Sequence, residues 1–263
     1  MNRSKTEEES SGTVPYSDGE VARGAVQGSV TRAQYMIASA RDRALGRARP
    51  GTGENAAFWR PALADALGVP IDDVEINASA GEPPELRVAG RRVHLSFSSA
   101  VGWRACAWSE AGPIGIDVEA PESVADLLRG AEGPAMLDLA GACEVFDRFA
   151  AEAQWEGAAK FAALWTAKEA VLKARGVGLE IDPRRVRFVD TPCHGAEHGM
   201  QVGRCIPALA AVIDTVSSGS EQTGSEQAGR VRDQGPERSA IWAVAWVSGP
   251  VGAAPIVAIA HRQ

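Results

Sequence analysis

Long hydrophobic runs are missing from this chain: no stretch approaches the roughly 20 apolar residues that cross a bilayer, and the longest candidate, Ile241 to Val247, has the length of a strand. A basic surplus is missing too. The 27 Lys plus Arg face 34 Asp plus Glu, which argues against nucleic acid or a membrane surface as partner, because phosphate-backbone affinity comes from clustered cations. The four cysteines, Cys106, Cys143, Cys193 and Cys205, form no C-x-x-C pair, so reduced thiols and a cytoplasmic setting are expected. Cys193, His194, His198 and Cys205 lie close together in sequence, but their spacing fits none of the common zinc templates. The opening residues hold charge where a signal peptide has an apolar stretch. What is there is a globular composition, 263 residues with 45% hydrophobic and 6% aromatic. That suffices for one large or two small domains without disulfide staples.

Residues 1–30, rich in Ser, Gly, Glu and Thr, lack apolar periodicity and read as a disordered tail that cannot recover the entropy cost of ordering. Ser217 to Ser239 has the same character and reads as a flexible insertion at 217–239. Two blocks of mixed helix and strand remain, at 31–112 and 113–263. In the first, Arg32 to Ala48 and Phe58 to Leu67 read as helices, and Val74 to Ile76, Leu86 to Val88, Val93 to Phe97 and Trp103 to Trp108 as strands. In the second, the strand Pro113 to Glu119 precedes helical character over Leu127 to Phe149 and a strong helix over Gly157 to Ala174. Strands at Val186 to Val189, Ala208 to Ile213 and Ile241 to Val247 close it. Without a regular βαβ rhythm, the fold class is α+β.

Strict alternation in Ile114-Gly-Ile-Asp-Val-Glu119 puts the apolar residues on one face and Gly115, Asp117 and Glu119 on the other. The two carboxylates then project side by side, as metal ligands or simply as the wet face of a half-exposed strand. On the helix through Trp165-Thr-Ala-Lys-Glu-Ala, Glu169 and Lys173 share a face. They address a common ligand or form an ordinary surface ion pair. Arg175-Gly-Val-Gly-Leu179 ends that helix with glycines suited to its cap.

The combination is more specific than its parts. Gly115-Ile-Asp-Val-Glu followed by Trp165-Thr-Ala-Lys-Glu-Ala, Lys173 and Gly176-x-Gly-Leu179 resembles the 4′-phosphopantetheinyl transferase superfamily, with spacing that suggests its Sfp-type, monomeric branch. The resemblance extends upstream to Ser96-Phe97-Ser98 and Gly81-Glu82-Pro83. It implies two pseudo-symmetric α+β subdomains with coenzyme A in the cleft between them, and transfer of the 4′-phosphopantetheine arm to a serine of an apo acyl or peptidyl carrier protein. It implies Mg²⁺ held by Asp117, Glu119 and Glu169, with Glu169 as base. Lys173 and Lys168 would hold phosphates, and Ser96 and Ser98 would bind the coenzyme. Arg32, Arg41, Arg43, Arg47, Arg49 and Arg60 offer further cations for a coenzyme A tail, suited to phosphate by their planar forks.

Two departures from the family pattern remove positive charge: Phe97 stands where a histidine is usual and Glu82 where a lysine is. Each charge-assisted contact is worth roughly 1.5–3 kcal/mol, so their loss weakens coenzyme A binding unless the arginines compensate. A second reading follows, a member that keeps the fold without the transfer and serves as a carrier-binding module or on another biosynthetic step. Val124 to Leu128 and Met136 to Phe149 offer apolar side chains that a carrier helix could meet, although core packing explains them as well.

Overall fold

A computed structural model describes residues 21–27, 32–39, 52–79, 82–189, 206–213, 241–248 and 255–262. Strands β1 (Val21–Gln27) and β2 (Arg32–Ser39) precede helix α1 (Thr52–Leu67), after which β3 (Val74–Asn77), β4 (Glu85–Val88), β5 (Arg91–Ala100) and β6 (Trp103–Ser109) follow. The second half starts with β7 (Ile114–Glu119), continues through helices α2 (Pro121–Arg129), α3 (Gly133–Ala140), α4 (Glu144–Glu152) and α5 (Gly157–Arg175), and ends in β8 (Val186–Val189), β9 (Ile206–Ile213), β10 (Trp242–Ser248) and β11 (Ile256–Arg262). The sheets run β1-β2-β6-β5-β4-β3 and β7-β11-β10-β9-β8, antiparallel throughout. Without β1 the orders are the same: a first strand, helical excursion, far-edge strand, and a meander returning to pair with the first. The α+β fold therefore consists of two subdomains of like topology.

Alternation assigns each strand face to a layer. Ala33, Tyr35, Ile37, Ala105 and Ala107 of the first sheet meet Ile114, Ile116, Val118, Val257 and Ile259 of the second in an inter-sheet core. The opposite faces are covered by helices: Trp59 and Leu63 of α1 pack with Met36, Leu86, Leu95 and Cys106, while α5 packs with Val244, Trp246, Ala258 and Ala260. Trp246 also donates its indole N–H to the Ala163 carbonyl of α5 at 3.0 Å. Burial on both faces explains why β11 is continuously apolar from Ile256 to Ala260.

Two expectations are corrected. Arg32 to Ala48 reads as helix, but Arg32–Ser39 is strand β2; its odd and even positions serve different cores, so apolar residues crowd both faces and mimic a helical stripe. Val21–Gln27, assigned to the tail, forms β1 by pairing with β2 from Val21↔Ala38 to Gln27↔Arg32. Backbone pairing along a neighbouring edge stabilises this segment without large apolar residues of its own. Strand β11 has no counterpart in the sequence reading. Residues 40–51, 190–205 and 214–240 lie outside the described residues, and with them the cysteine–histidine cluster, the insertion and Arg41, Arg43, Arg47 and Arg49.

At Gly115 helix α5 approaches β7 so closely that a Cβ would collide with the Ala170 carbonyl oxygen and lie 2.6 Å from the Ala174 nitrogen. Gly115→Ala is therefore expected to destabilise by at least about 1–3 kcal/mol, the usual cost of overpacking, measured as a lower urea midpoint with unchanged m. His261 on β11 is 3% exposed, and burial pushes its imidazole below the ordinary range, with a smaller opposing pull from the Arg262 carbonyl. Burial also lowers His94, helped by the Arg92 charge. Because the unfolded chain then binds more protons, stability is expected to fall as pH drops below about 6.5, by at most about 1.4 kcal/mol per pH unit for each histidine. His261→Leu should reduce that slope in urea melts between pH 7.5 and 5.

Candidate active site

Strand β7 pairs with β11 along one edge, and its other edge faces β5. There Ile116 donates its N–H to Ser96 Oγ at 3.1 Å and Val118 donates to Ser98 Oγ at 3.3 Å. Two serine hydroxyls thus take backbone donors that a neighbouring strand would otherwise satisfy. Alternation in β5 turns Ser96 and Ser98 toward β7, and Leu95 and Phe97 toward the core under α1.

This junction holds a charged cluster. Ser98 donates to Asp117 Oδ1 at 2.7 Å, and Lys173 Nζ donates to the same oxygen at 2.5 Å, to Ser98 Oγ at 3.2 Å and to the Ile116 carbonyl at 3.3 Å. Glu169 Oε2 lies 3.5 Å from the ammonium. Asp117 and Glu119 are buried, which excludes the wet-face reading of the acidic strand. The Glu169–Lys173 pair is not an ordinary surface pair either, because Lys173 reaches past Glu169 to a carboxylate whose side chain is 3% exposed. Burial by itself pushes the Lys173 ammonium down, but the charges of Asp117 and Glu169 and their hydrogen bonds outweigh it, so the group sits above the ordinary lysine range. It is cationic at neutral pH.

Asp117 Oδ2 is buried without a hydrogen-bond partner, an arrangement that costs roughly 1–3 kcal/mol or more unless a donor or cation arrives. Among the described residues no three acidic, histidine or cysteine side chains converge into a metal cage. Mg²⁺ does not need one, since it commonly takes one or two carboxylates together with substrate phosphates and waters. An orphaned buried carboxylate oxygen, with Glu169 across the same ammonium, is a donor set of the hard oxygens that this ion prefers.

Beside the cluster runs a cleft of about 780 Å³ between the two subdomains, within the range of small-molecule sites. Asn55 of α1, Pro83, Phe97, Ser98, Glu169 and Lys173 are among its walls. The segment after α5 completes it: Gly176, in the left-handed region at φ 76°, caps the helix by donating to the Leu172 carbonyl, and a Cβ there would lie 3.5 Å from Pro83 Cγ. Residues 113–204 match the 4′-phosphopantetheinyl transferase superfamily. The matched segment contains Asp117, Glu119, Lys168, Glu169 and Lys173, whereas Ser96, Ser98 and the α1 wall lie outside it. The likeness is to a family of transferases, and the two-sheet architecture is consistent with that family's two-subdomain fold. A comparison with curated proteins finds no match.

Of the expected site residues, the structure brings together Ser96, Ser98, Asp117, Glu169 and Lys173; Glu119 is buried further along the same strand face. Lys168 is elsewhere. It is 2% exposed, its ammonium donates to the Pro183 carbonyl at 3.0 Å, and it ties α5 to the turn before β8. Burial lowers its titration, against smaller upward pulls from Cys143 and Asp182. Its position one residue before Glu169 turns it away from the cleft. Arg60 is likewise structural, donating to the carbonyls of Val74 and Ile71 at 2.8 and 3.0 Å. Val124, Phe146 and Phe149, in segments considered for carrier contact, belong to the core. The sequence reading missed Asn55, for which the only local signal is a polar residue one helical turn before Trp59.

Because Lys173 neutralises a buried carboxylate, Lys173→Met should cost about 3 kcal/mol or more, the penalty for stranding a buried charge. Asp117→Asn in the same chain should recover part of that loss, giving a coupling of roughly 0.5–3 kcal/mol in a double-mutant cycle of urea stabilities. Strict additivity would mean that the two groups do not share this pair.

Proposed function

We propose that this chain transfers the 4′-phosphopantetheine arm of coenzyme A to a serine of an apo carrier protein, an acyl or peptidyl carrier of fatty-acid, polyketide or nonribosomal-peptide assembly, releasing adenosine 3′,5′-bisphosphate. The observation that carries this reading is the cluster of buried Asp117 with half-buried Lys173 and Glu169, opening on the inter-subdomain cleft, in the segment that matches the transferase superfamily. Both the Sfp-type assignment and action as a monomer in the cytoplasm belong to this proposal.

The residues divide the work by chemistry. Asp117 and Glu169, with Glu119 on the same strand face, are the ligands for Mg²⁺, which when bound offsets pyrophosphate charge and polarises its oxygens. Glu169 lies where its carboxylate meets the cleft and takes the proton of the carrier serine. The serine oxygen bonds to the β-phosphorus as the bond from that phosphorus to the bridging oxygen breaks, and the electron pair leaves on the α-phosphate of adenosine 3′,5′-bisphosphate. Lys173, cationic across the neutral range, stabilises the charge that grows on the leaving group. Ser98 holds Asp117 and Lys173 in register, a positioning role in place of the direct coenzyme contact expected from sequence.

One observation favours the second reading, a family member that has kept the fold and lost the transfer. Among the described residues the cleft walls carry Glu82, Glu169 and Glu180 against the single cation Lys173, an unwelcoming field for phosphates. Intact-protein mass spectrometry of apo carrier proteins incubated with the chain, coenzyme A and Mg²⁺ separates the two. A mass gain of one phosphopantetheine arm is expected, falling by at least about a hundredfold in initial rate for Glu169→Gln, as loss of a general base does. Carriers left unmodified, together with no coenzyme A binding by calorimetry, would overturn the transferase reading.

A further inference from the structure

The oxygens around the Lys173 ammonium are the kind that a hard cation collects. Asp117 Oδ1 lies at 2.5 Å, Ser98 Oγ at 3.2 Å, the Ile116 carbonyl at 3.3 Å and Glu169 Oε2 at 3.5 Å, so β5, β7 and α5 each contribute. A lysine ammonium has three protons and no acceptor, and this one takes up oxygens that a divalent ion would share. Asp117 has no freedom to offer them elsewhere, because its side chain is 3% exposed and Ser98 holds the same Oδ1 at 2.7 Å. Lys173 has a way out: its side chain is 28% exposed and forms part of the cleft wall. Among the described residues it is also the single cation in that wall. An anion entering the cleft meets this ammonium and no other.

We propose that Lys173 is a place-holding cation: in the unliganded chain it fills the oxygen cluster of the metal site and antagonises a divalent ion there, and coenzyme phosphates admit the ion by drawing the ammonium off Asp117. The inference rests on the reading of Asp117 and Glu169 as Mg²⁺ ligands and adds an order of binding, co-substrate before metal. Electrostatics sets that order. Like charges a few ångströms apart repel strongly in a partly desolvated site, so ammonium and divalent ion do not share Asp117 while the ammonium stays. The orphaned Asp117 Oδ2 is no separate seat, since an ion on it stands beside the same ammonium. An empty cluster would strand the buried carboxylate of Asp117, which is why the place is kept filled until a ligand arrives. Phosphate oxygens in the cleft give the displaced ammonium a charge-assisted partner in return, and they leave it where charge grows on the leaving group. Co-substrate and metal thereby bind with positive coupling, each favouring the arrangement that the other needs.

Titration of the full chain with Mn²⁺, read by the electron paramagnetic resonance of the free ion, tests this. Mn²⁺ suits sites of carboxylate, carbonyl and water oxygens, and the readout needs no turnover. The unaltered chain is expected to bind Mn²⁺ at least about tenfold more tightly with saturating coenzyme A than without it, within the usual span of coupling between sites. Without coenzyme A, Lys173→Met should bind Mn²⁺ at least about fivefold more tightly than the unaltered chain, and its gain from coenzyme A should shrink by a similar factor. That shrinkage separates a displaced ammonium from simple ligation of Mn²⁺ by coenzyme phosphates, which predicts the same gain in both chains. Three results each overturn the place-holder: equal Mn²⁺ affinity of the unaltered chain with coenzyme A bound and absent, Lys173→Met no tighter than the unaltered chain, or equal gains in both. The first comparison uses the unaltered chain alone and decides even where Lys173→Met does not fold. If calorimetry detects no coenzyme A binding, the transferase reading fails and the Lys173→Met comparison decides the place-holder. Mn²⁺ bound equally with and without bound coenzyme A removes the place-holder and leaves the metal reading standing; Mn²⁺ bound by neither chain under any condition removes both.

Discussion

Everything near the cleft depends on an edge that lacks a strand. Among the described strands β7 pairs with β11 on one side only, and on the other its N–H groups at Ile116 and Val118 meet serine hydroxyls from β5. Backbone donors buried without acceptors are costly, so Ser96 and Ser98 do more than line a wall. They let one subdomain abut the other where a regular ladder would have closed the space, and the gap this leaves is where Lys173 reaches Asp117.

Helix α5 fixes the other half of the geometry. Absence of a side chain at Gly115 lets the helix backbone settle against β7, so Glu169 and Lys173 come to Asp117 from a rigidly seated element. Two turns of one helix and one strand thereby carry opposite charges into a partly desolvated pocket, where their attraction is stronger than on a wet surface. The arrangement is a seated cation: one ammonium offsets one of the two carboxylates it touches.

The acidic strand was legible in the sequence because β7 alternates with a period of two, and α5 because it is a long run of strong helix formers with Glu169 and Lys173 one turn apart, even though it is buried at most positions from Phe161 to Ala174. Strand β2 was not, since apolar residues feed cores on both of its faces and erase the alternation. Strands β1 and β11 escaped for different reasons: β1 depends on pairing with its neighbour, while β11 is a short apolar run from Ile256 to Ala260 without alternation and follows a segment rich in glycine and proline. Within the site, Asp117, Glu169 and Lys173 were visible as residue types at telling spacings. Lys168 misled because adjacency in sequence on a helix means divergence by about 100° in space, and here the divergence sends its ammonium to the Pro183 carbonyl. Asn55 carries no such pattern, and only its burial and its missing partner single it out.

The two serines of β5 that face β7, Ser96 and Ser98, are unlike in valence. A hydroxyl has one proton to give and two lone pairs to receive with. Ser98 accepts from the Val118 amide and the Lys173 ammonium and gives its proton to Asp117, so its capacity is spent within the protein. Ser96 accepts from the Ile116 amide and gives its proton to no acceptor among the described residues. Along this strand the cleft therefore meets an uncommitted hydroxyl proton at 96 and, two residues later, an oxygen already fully engaged.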